Sequence, residues 1–294
     1  MFKKILLALM LISSSYSFSA LKVEGNKISD NFKNTIEIKN YKSVIILDPS
    51  VIEIFYMISA EDKISAIATT AKSKIYPEEK VSKLPSVGHI TNTSIEKILS
   101  YSPDLVLMGA MSSKLSDSLR SFNIPVLVIE SNNFEDILQN IQVFGKLTGK
   151  EKEAEELYRK SNEKLENISD KIAKNPLNLK GAVLYSTSPM MAFNSKSLPG
   201  QIFMLLGIKN LTDNLVGDKP ILSPEFLLQQ NPDFLAGAMS ISNPDDILNS
   251  SPVVRETTAG KNKNLFIVDS TKVLRGSPRI FEAVEEFYNE LQKF

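Results

Sequence analysis

Short apolar runs recur along the chain, each closed by small polar residues and followed by a segment with helical spacing. Residues 43–47 (Ser-Val-Ile-Ile-Leu) predict a strand ending at Asp48-Pro49-Ser50, and residues 51–59 a helix carrying Glu53. A second strand is predicted over 63–68, ending in Thr69-Thr70-Ala71-Lys72-Ser73. Helices over 115–122 and 134–147 flank a strand over 125–129. Beyond residue 176 the pattern restarts: a strand over 181–185, a loop over 186–191, and a helix over 199–206 closed by Gly207. A short helix over 244–248, a strand over 265–268 and a loop over 269–276 follow. Ser277-Pro278 reads as the cap of a last amphipathic helix running to Phe294. Residues 21–40 read as a polar lead-in and 84–92 as a loop. Such alternation of strand and helix predicts parallel sheets covered by helices.

One unit occurs twice. Ser94-Ile95-Glu96-Lys97-Ile98-Leu99 runs through Ser102-Pro103-Asp104-Leu105-Val106-Leu107 to Gly109-Ala110-Met111-Ser112. Starting 129 positions later, Ser223-Pro224-Glu225-Phe226-Leu227-Leu228 runs through Asn231-Pro232-Asp233-Phe234-Leu235 to Gly237-Ala238-Met239-Ser240. Each copy reads as a Ser N-cap, a short helix with Glu in its first turn, a Pro-Asp stop, a buried strand and a Gly-Ala-Met-Ser loop at that strand's C-terminal end. A repeat so widely spaced implies two similar lobes, not a solenoid. Open α/β sheets bind ligands outside the C-terminal ends of their strands, so two such loops can close on one ligand.

Between the copies, residues 150–174 are dense in Glu and Lys, lack Gly and Pro, and carry Ala154, Leu157, Leu165, Ile168 and Ile172 at roughly helical spacing. They predict one long amphipathic helix, either a spacer between lobes or a surface helix of the first. The predicted fold is therefore α/β: two Rossmann-like lobes with mainly parallel sheets, joined by a single long helix, with a ligand cleft between them. The predicted divisions are a signal peptide at 1–19, an N-terminal lobe at 20–148, a connecting helix at 149–175 and a C-terminal lobe at 176–294.

Composition narrows the function. Lys3 and Lys4, an apolar stretch over 5–12 and Ser17-Phe18-Ser19 read as a secretory signal with cleavage before Ala20. The 294 residues carry no net formal charge, and loss of Lys3 and Lys4 leaves the mature chain about two charges negative, which argues against a nucleic-acid partner. With no cysteine there is no disulfide, no thiolate metal site and no lipid-bearing thiol. A periplasmic location without a lipid anchor follows as the expectation.

Candidate chemistry clusters in loops after the strands. His89 is the single histidine; a lone imidazole is as often structural as functional, and one cannot complete a metal site, so any metal would arrive already chelated. Met111, Met190, Met191 and Met239 offer soft apolar contacts at strand ends, although methionines also simply pack beneath loops. Thr70 shares His89's edge of the sheet. Lys72, Lys219 and Arg275 can pair with carboxylates or oxyanions, or stand as solvated surface charges. G-x-S-x-G, H-E-x-x-H and P-loop patterns are absent. Binding without catalysis or a resident cofactor is the reading; an exported hydrolase using His89, or a non-transport interaction module, are the alternatives. Glu96 and Glu225, matched across the copies, suit docking onto a two-fold partner.

Ile46-Leu47-Asp48-Pro49-Ser50 with Glu53, the block from Ser94-Ile95-Glu96 to Pro103-Asp104-Leu105-Val106, and Arg275-Gly276-Ser277-Pro278-Arg279-Ile280 together resemble the ABC-transporter substrate-binding proteins for siderophores, haem and cobalamin. The similarity runs from about residue 43 to the C-terminus. It implies two α/β lobes on a rigid helix, a metal chelate held in the cleft by a monomer, and delivery to an inner-membrane ABC permease dimer docked through Glu96 and Glu225. The chain has no Trp, and its cleft loops offer few aromatics and no evident iron-ligating Tyr. A ferric siderophore or a nickel or cobalt complex completed by His89 therefore fits better than haem or cobalamin, and basic loop residues keep a molybdate-type oxyanion open.

Overall fold

The computed structural model describes residues 20–71 and 73–294; the predicted signal peptide and Lys72 lie outside the described residues. The polar lead-in folds into an antiparallel three-stranded sheet, β1 (Leu21–Glu24), β2 (Lys27–Asp30) and β3 (Thr35–Glu37). Its inward residues Leu21, Ile28 and Ile36 join the first core. Each strand contributes so few apolar positions that no period-2 signal emerges from the sequence.

The first α/β sheet comprises β4 (Val44–Ile46), β5 (Ile64–Thr69), β6 (Ser86–His89), β7 (Asn92–Thr93), β8 (Leu105–Gly109) and β9 (Val126–Ile129), in the order β7-β6-β5-β4-β8-β9. All its pairings are parallel except the β6–β7 hairpin. Its helices are α1 (Pro49–Met57), α2 (Glu78–Val81), α3 (Ile95–Ser100), α4 (Ser116–Ser121) and α5 (Phe134–Thr148). The edge strand β9 is not left open: the Asp30 carboxylate accepts the Val128 N–H at 2.7 Å, blocking strand addition there.

Gly149 ends α5 in the left-handed conformation (φ 69°), which turns the chain into α6 (Glu151–Lys174). At 1.5 Å per residue α6 is roughly 36 Å long. Its first half places Ala154, Leu157 and Tyr158 against the first core, and its second half places Leu165, Ile168 and Ile172 against the second. One apolar stripe thus serves two cores. The helix is not a bare spacer, because α5 behaves similarly: Ile141, Phe144 and Leu147 pack into the first core, while Ile137 and Phe134 face the second, Phe134 edge-on to Phe281 at 5.8 Å.

The second α/β sheet is built from β10 (Lys180–Thr187), β11 (Met190–Ala192), β12 (Lys209–Asn210), β13 (Phe234–Gly237) and β14 (Leu265–Ile267), in the order β11-β10-β13-β14 with β12 also on β10. It is covered by α7 (Leu198–Leu205), α8 (Pro224–Gln230), α9 (Pro244–Leu248), α10 (Pro252–Glu256), α11 (Thr258–Lys261), α12 (Ser270–Val273) and α13 (Ile280–Leu291). Three sequence expectations change here. The loop predicted over 186–191 is a hairpin: only Ser188-Pro189 turn, and β10 and β11 pair antiparallel around them. The loop predicted over 269–276 holds the helical turn α12, capped by Asp269. Ser277 does not cap the last helix, which starts at Ile280 without a side-chain cap, because its hydroxyl is engaged elsewhere.

The repeat has a structural counterpart. Asp104 and Asp233 each pin the start of the neighbouring central strand. Asp104 accepts the N–H groups of Lys42 and Ser43 at 2.9 and 3.0 Å ahead of β4, and Asp233 accepts that of Lys180 at 2.8 Å on β10. Their own N–H groups return to the Ser43 and Lys180 carbonyls. The recurring Pro-Asp therefore does more than stop a helix: it sets the register of β8 on β4 and of β13 on β10.

Candidate functional site

In each sheet the strand order reverses beside the central strand, between β4 and β8 in the first and between β10 and β13 in the second. Crevices open at the carboxyl ends of such strand pairs. The first is bounded by Asp48 and Gly109-Ala110-Met111. Asp48 caps α1 by accepting from the Ser50 N–H (2.8 Å) and hydroxyl (2.5 Å). Gly109 must be small, since a Cβ there would collide with the Asp48 carboxylate. The second is bounded by Tyr185 and Gly237-Ala238-Met239.

The two Gly-Ala-Met-Ser segments occupy equivalent places but different conformations. After β8 the chain winds into a 3-10 helix, Ala110–Leu115, and Ser112 Oγ donates to the Ile90 carbonyl at 3.2 Å. After β13 it turns through Met239 at φ 61°, a conformation costly for a side chain of that size, with the Met239 N–H donating to Ser270 Oγ at 2.6 Å. Both methionines are solvent-facing, Met111 69% and Met239 53% exposed.

His89 ends β6 and does not lie in a loop: it pairs with Thr69 of β5 and with Asn92 of β7. It is half-buried, and its Nδ1 lies 2.8 Å from Thr91 Oγ1 and accepts the Thr91 N–H at 3.3 Å, leaving Nε2 free of those contacts. Among the described residues no group of three or more His, Asp or Glu side chains is placed to hold a metal ion. Thr70 spends its hydroxyl on the Ser73 carbonyl, closing the turn after β5. Beside that turn lies a pocket of about 370 Å³ lined by Thr69, Thr70, Ser73, Lys74 and Glu78. A pocket of about 480 Å³ at the other sheet is lined by Thr187, Ser240, Asp245, Asp246 and Asn249.

Other candidates are redistributed. Met190 sits on β11 inside the second lobe's core and is buried, so it does not line a loop; Met191 is half-buried, paired with Ser186 and bridged to Ile221. Lys219 places its ammonium 4.7 Å over the Tyr185 ring, which also packs edge-on against Phe193. Tyr185 thus stands at the second crevice, and Tyr76, 50% exposed, lies beneath Arg279 at 5.1 Å; neither was expected from the scarcity of aromatics in the loops.

Arg275 is the largest departure. It is 8% exposed, and it pairs with a protein carboxylate. Its Nη1 donates to Glu53 Oε1 at 2.5 Å and to the Lys74 carbonyl at 2.8 Å, and its Nη2 donates to Ser73 Oγ at 2.5 Å. Glu53, on α1, has no exposed surface and also accepts from Ser277 Oγ (2.6 Å), the Tyr76 N–H (3.1 Å) and Arg279 (3.3 Å). This network joins the first lobe to the segment after α12 in the second. One signal was available in the sequence: a lone carboxylate among Val51, Ile52, Ile54 and Phe55 requires a buried cation, and Arg275-Gly276-Ser277-Pro278-Arg279 supplies two.

Glu96 and Glu225 hold matched, exposed positions in the first turns of α3 and α8. The caps are alike: Ser94 Oγ accepts the Lys97 N–H, and Ser223 Oγ the Phe226 N–H, each at 3.2 Å. At Glu225 the backbone N–H and the Ser223 hydroxyl hold the carboxyl below its usual range, so it is ionised at neutral pH.

Comparison with known proteins places this geometry. The family described as periplasmic binding protein matches residues 44–271. An uncharacterized ABC transporter substrate-binding lipoprotein of Bacillus subtilis is 27% identical over 260 residues, covering 84% of this chain and 79% of the relative. A vitamin B12-binding protein of Vibrio vulnificus is 26% identical over 262 residues, covering 87% and 92%. The crystal structure of a candidate iron-binding (periplasmic solute-binding) protein from Staphylococcus epidermidis superposes with a TM-score of 0.75 at 23% identity, covering 86% of this chain and 99% of that one. The chain belongs to the periplasmic binding protein family, two α/β lobes with mainly parallel sheets and a long helix.

Proposed function

We propose that this protein is the substrate-binding component of an ABC importer, a monomer that captures a metal chelate between lobes 20–148 and 176–294 and delivers it to an inner-membrane permease dimer. The duplicated unit carries the reading: each copy puts a Gly-Ala-Met-Ser segment at the carboxyl end of a sheet and an exposed Glu on a capped first turn. Binding without turnover accords with its relatives, which are named for substrate binding. The Bacillus relative is a lipoprotein; for this chain we favour export to the periplasm with cleavage before Ala20, read from Ser17-Phe18-Ser19.

The ligand class we favour is a ferric siderophore or a nickel or cobalt complex, contacted by Met111, Met239, Thr70, Lys72, Met191 and Lys219, with His89 Nε2 available to complete a metal's coordination. Tyr185 beneath Lys219 and the exposed Tyr76 add aromatic surface, which keeps a corrinoid, the ligand named for the Vibrio relative, as the second reading. The chain has eight Tyr and no Trp, so intrinsic tyrosine fluorescence reports on the protein without tryptophan background. Titration with a ferric hydroxamate, a ferric catecholate, nickel–histidine, cyanocobalamin and haem should give saturable quenching by one class at sub-micromolar concentration. Silence across the whole set overturns the reading.

Docking has a separate expectation. Glu96→Ala combined with Glu225→Ala should leave that titration unchanged and abolish uptake in cells dependent on this importer. A weakened titration would place those residues in the ligand site instead.

A further inference from the structure

Among the described residues two carboxylates are buried, Glu53 and Asp136, and only Glu53 has arginine partners. Asp136 occupies the third position of α5, after the Asn133 cap, and is 4% exposed. Its Oδ2 accepts the Asn132 N–H at 3.0 Å, and its Oδ1 accepts the backbone nitrogen of Ala20 at 3.4 Å. Among the described residues no Lys, Arg or His side chain forms an ion pair with it, and the neighbouring Glu130 and Glu135 carry like charge. Burial pushes its carboxyl above the usual range, those two neighbours add to the effect, and the N–H groups of Asn132 and Ala20 oppose it.

Ala20 is itself 4% exposed, and the next residue is fastened to the same helix: Gln139 Nε2 donates to the Leu21 carbonyl at 2.9 Å, and the Leu21 side chain is 1% exposed in the core. The chain at 20–21 is therefore seated on the first two turns of α5. Ala20 is also the first residue after the signal-peptidase site read from Ser17-Phe18-Ser19. In the precursor its nitrogen is a neutral amide with one proton to donate. Hydrolysis of the Ser19–Ala20 peptide bond consumes one water, leaves a carboxylate on Ser19 with the departing leader, and leaves an α-ammonium on Ala20 with three protons.

We infer that leader removal creates a buried ion pair, the new α-ammonium of Ala20 on the Asp136 carboxylate, which fastens the mature N-terminus to α5. This rests on the export reading above, but not on the identity of the ligand. The cleaved chain thereby supplies a cation where none pairs among the described residues, in the helix N-terminal setting that favours an ionised carboxylate. Because α5 also carries Phe134 and Ile137 into the second core, processing would consolidate the helix that both lobes share.

Three measurements test it, and none involves ligand. The exported protein should begin at Ala20 by N-terminal sequencing; a start elsewhere overturns the inference. The Ala20 α-amine should be acylated at pH 8 at least tenfold more slowly than the terminal amine of a leaderless chain carrying Gly-Ser ahead of Ala20, since a paired ammonium titrates above the usual α-amino range of about 7.7–8.0; equal rates overturn it. Asp136→Asn should lower Tm by about 6 °C in the chain starting at Ala20 and by less than half as much in the extended chain. Equal losses would reduce Asp136 to a helix cap and overturn the pairing. If the variant does not fold, the acylation rates, read on unsubstituted protein, still decide.

Discussion

Glu53→Ala should lower stability by about 3–5 kcal/mol, the cost of removing one partner from a buried charge network, and Tm by about 10 °C. The carboxylate has no exposed surface and receives four donors, two of them guanidinium groups. Without it Arg275, 8% exposed, keeps only the Ser73 hydroxyl and the Lys74 carbonyl, and Arg279 loses its carboxylate and keeps the face of Tyr76. Ser277 Oγ and the Tyr76 N–H lose an acceptor as well. Glu53→Gln, which preserves shape and an acceptor oxygen but not the charge, should cost visibly less. Thermal unfolding of ligand-free protein followed by far-UV circular dichroism measures both. A loss under about 1 kcal/mol for the alanine variant would show that water reaches the guanidinium groups, contrary to their burial.

The sequence revealed periodic elements readily and the partners of this buried network poorly. The central strands and longer helices of the two α/β sheets were legible as apolar runs bounded by Pro, Gly, Ser or Asp, with α6 and the two capped units the clearest cases, whereas the short α2, α10, α11 and β12 offered too few positions to show a period. The β10–β11 hairpin was missed because Ser186-Thr187-Ser188-Pro189 carries turn chemistry throughout, although only its last two residues turn. His89 was assigned to a loop because Ser86-Val87-Gly88-His89 is too short to alternate. The roles of Arg275 and Ser277 were only half legible: the lone Glu53 carboxylate on an apolar helix calls for a buried cation, but its partners lie 222 to 224 positions away, and local pattern does not say which cation answers it. An arginine in a loop after a strand looks the same whether it faces a ligand or a carboxylate of its own chain. The matched Glu96 and Glu225 stood out only through duplication, which supplied a second copy for comparison.

Between those two arginines, Gly276 shows how tightly the lobes meet. An added Cβ would collide with Ser131 Cβ and stand 2.8 Å from Ser131 Oγ and 3.2 Å from its carbonyl oxygen. Gly276 is not among the glycines of positive φ, so alanine suffers no backbone strain and the cost is steric. Ser131 cannot withdraw cheaply, because the fully buried Asn140 donates to its hydroxyl at 3.0 Å and to the Glu130 carbonyl at 2.9 Å. Gly276→Ala should therefore cost about 1–3 kcal/mol, read as a lower urea midpoint at unchanged m value. Ser131→Gly alone should cost about 1 kcal/mol through the lost Asn140 bond and the freer chain. Combined, the two should cost less than their sum by about 1 kcal/mol or more, since removing the Ser131 Cβ makes room for the alanine methyl. Strict additivity would mean that the collision is relieved elsewhere and that the lobes meet more loosely at Gly276 than the buried Glu53–Arg275 fastening implies.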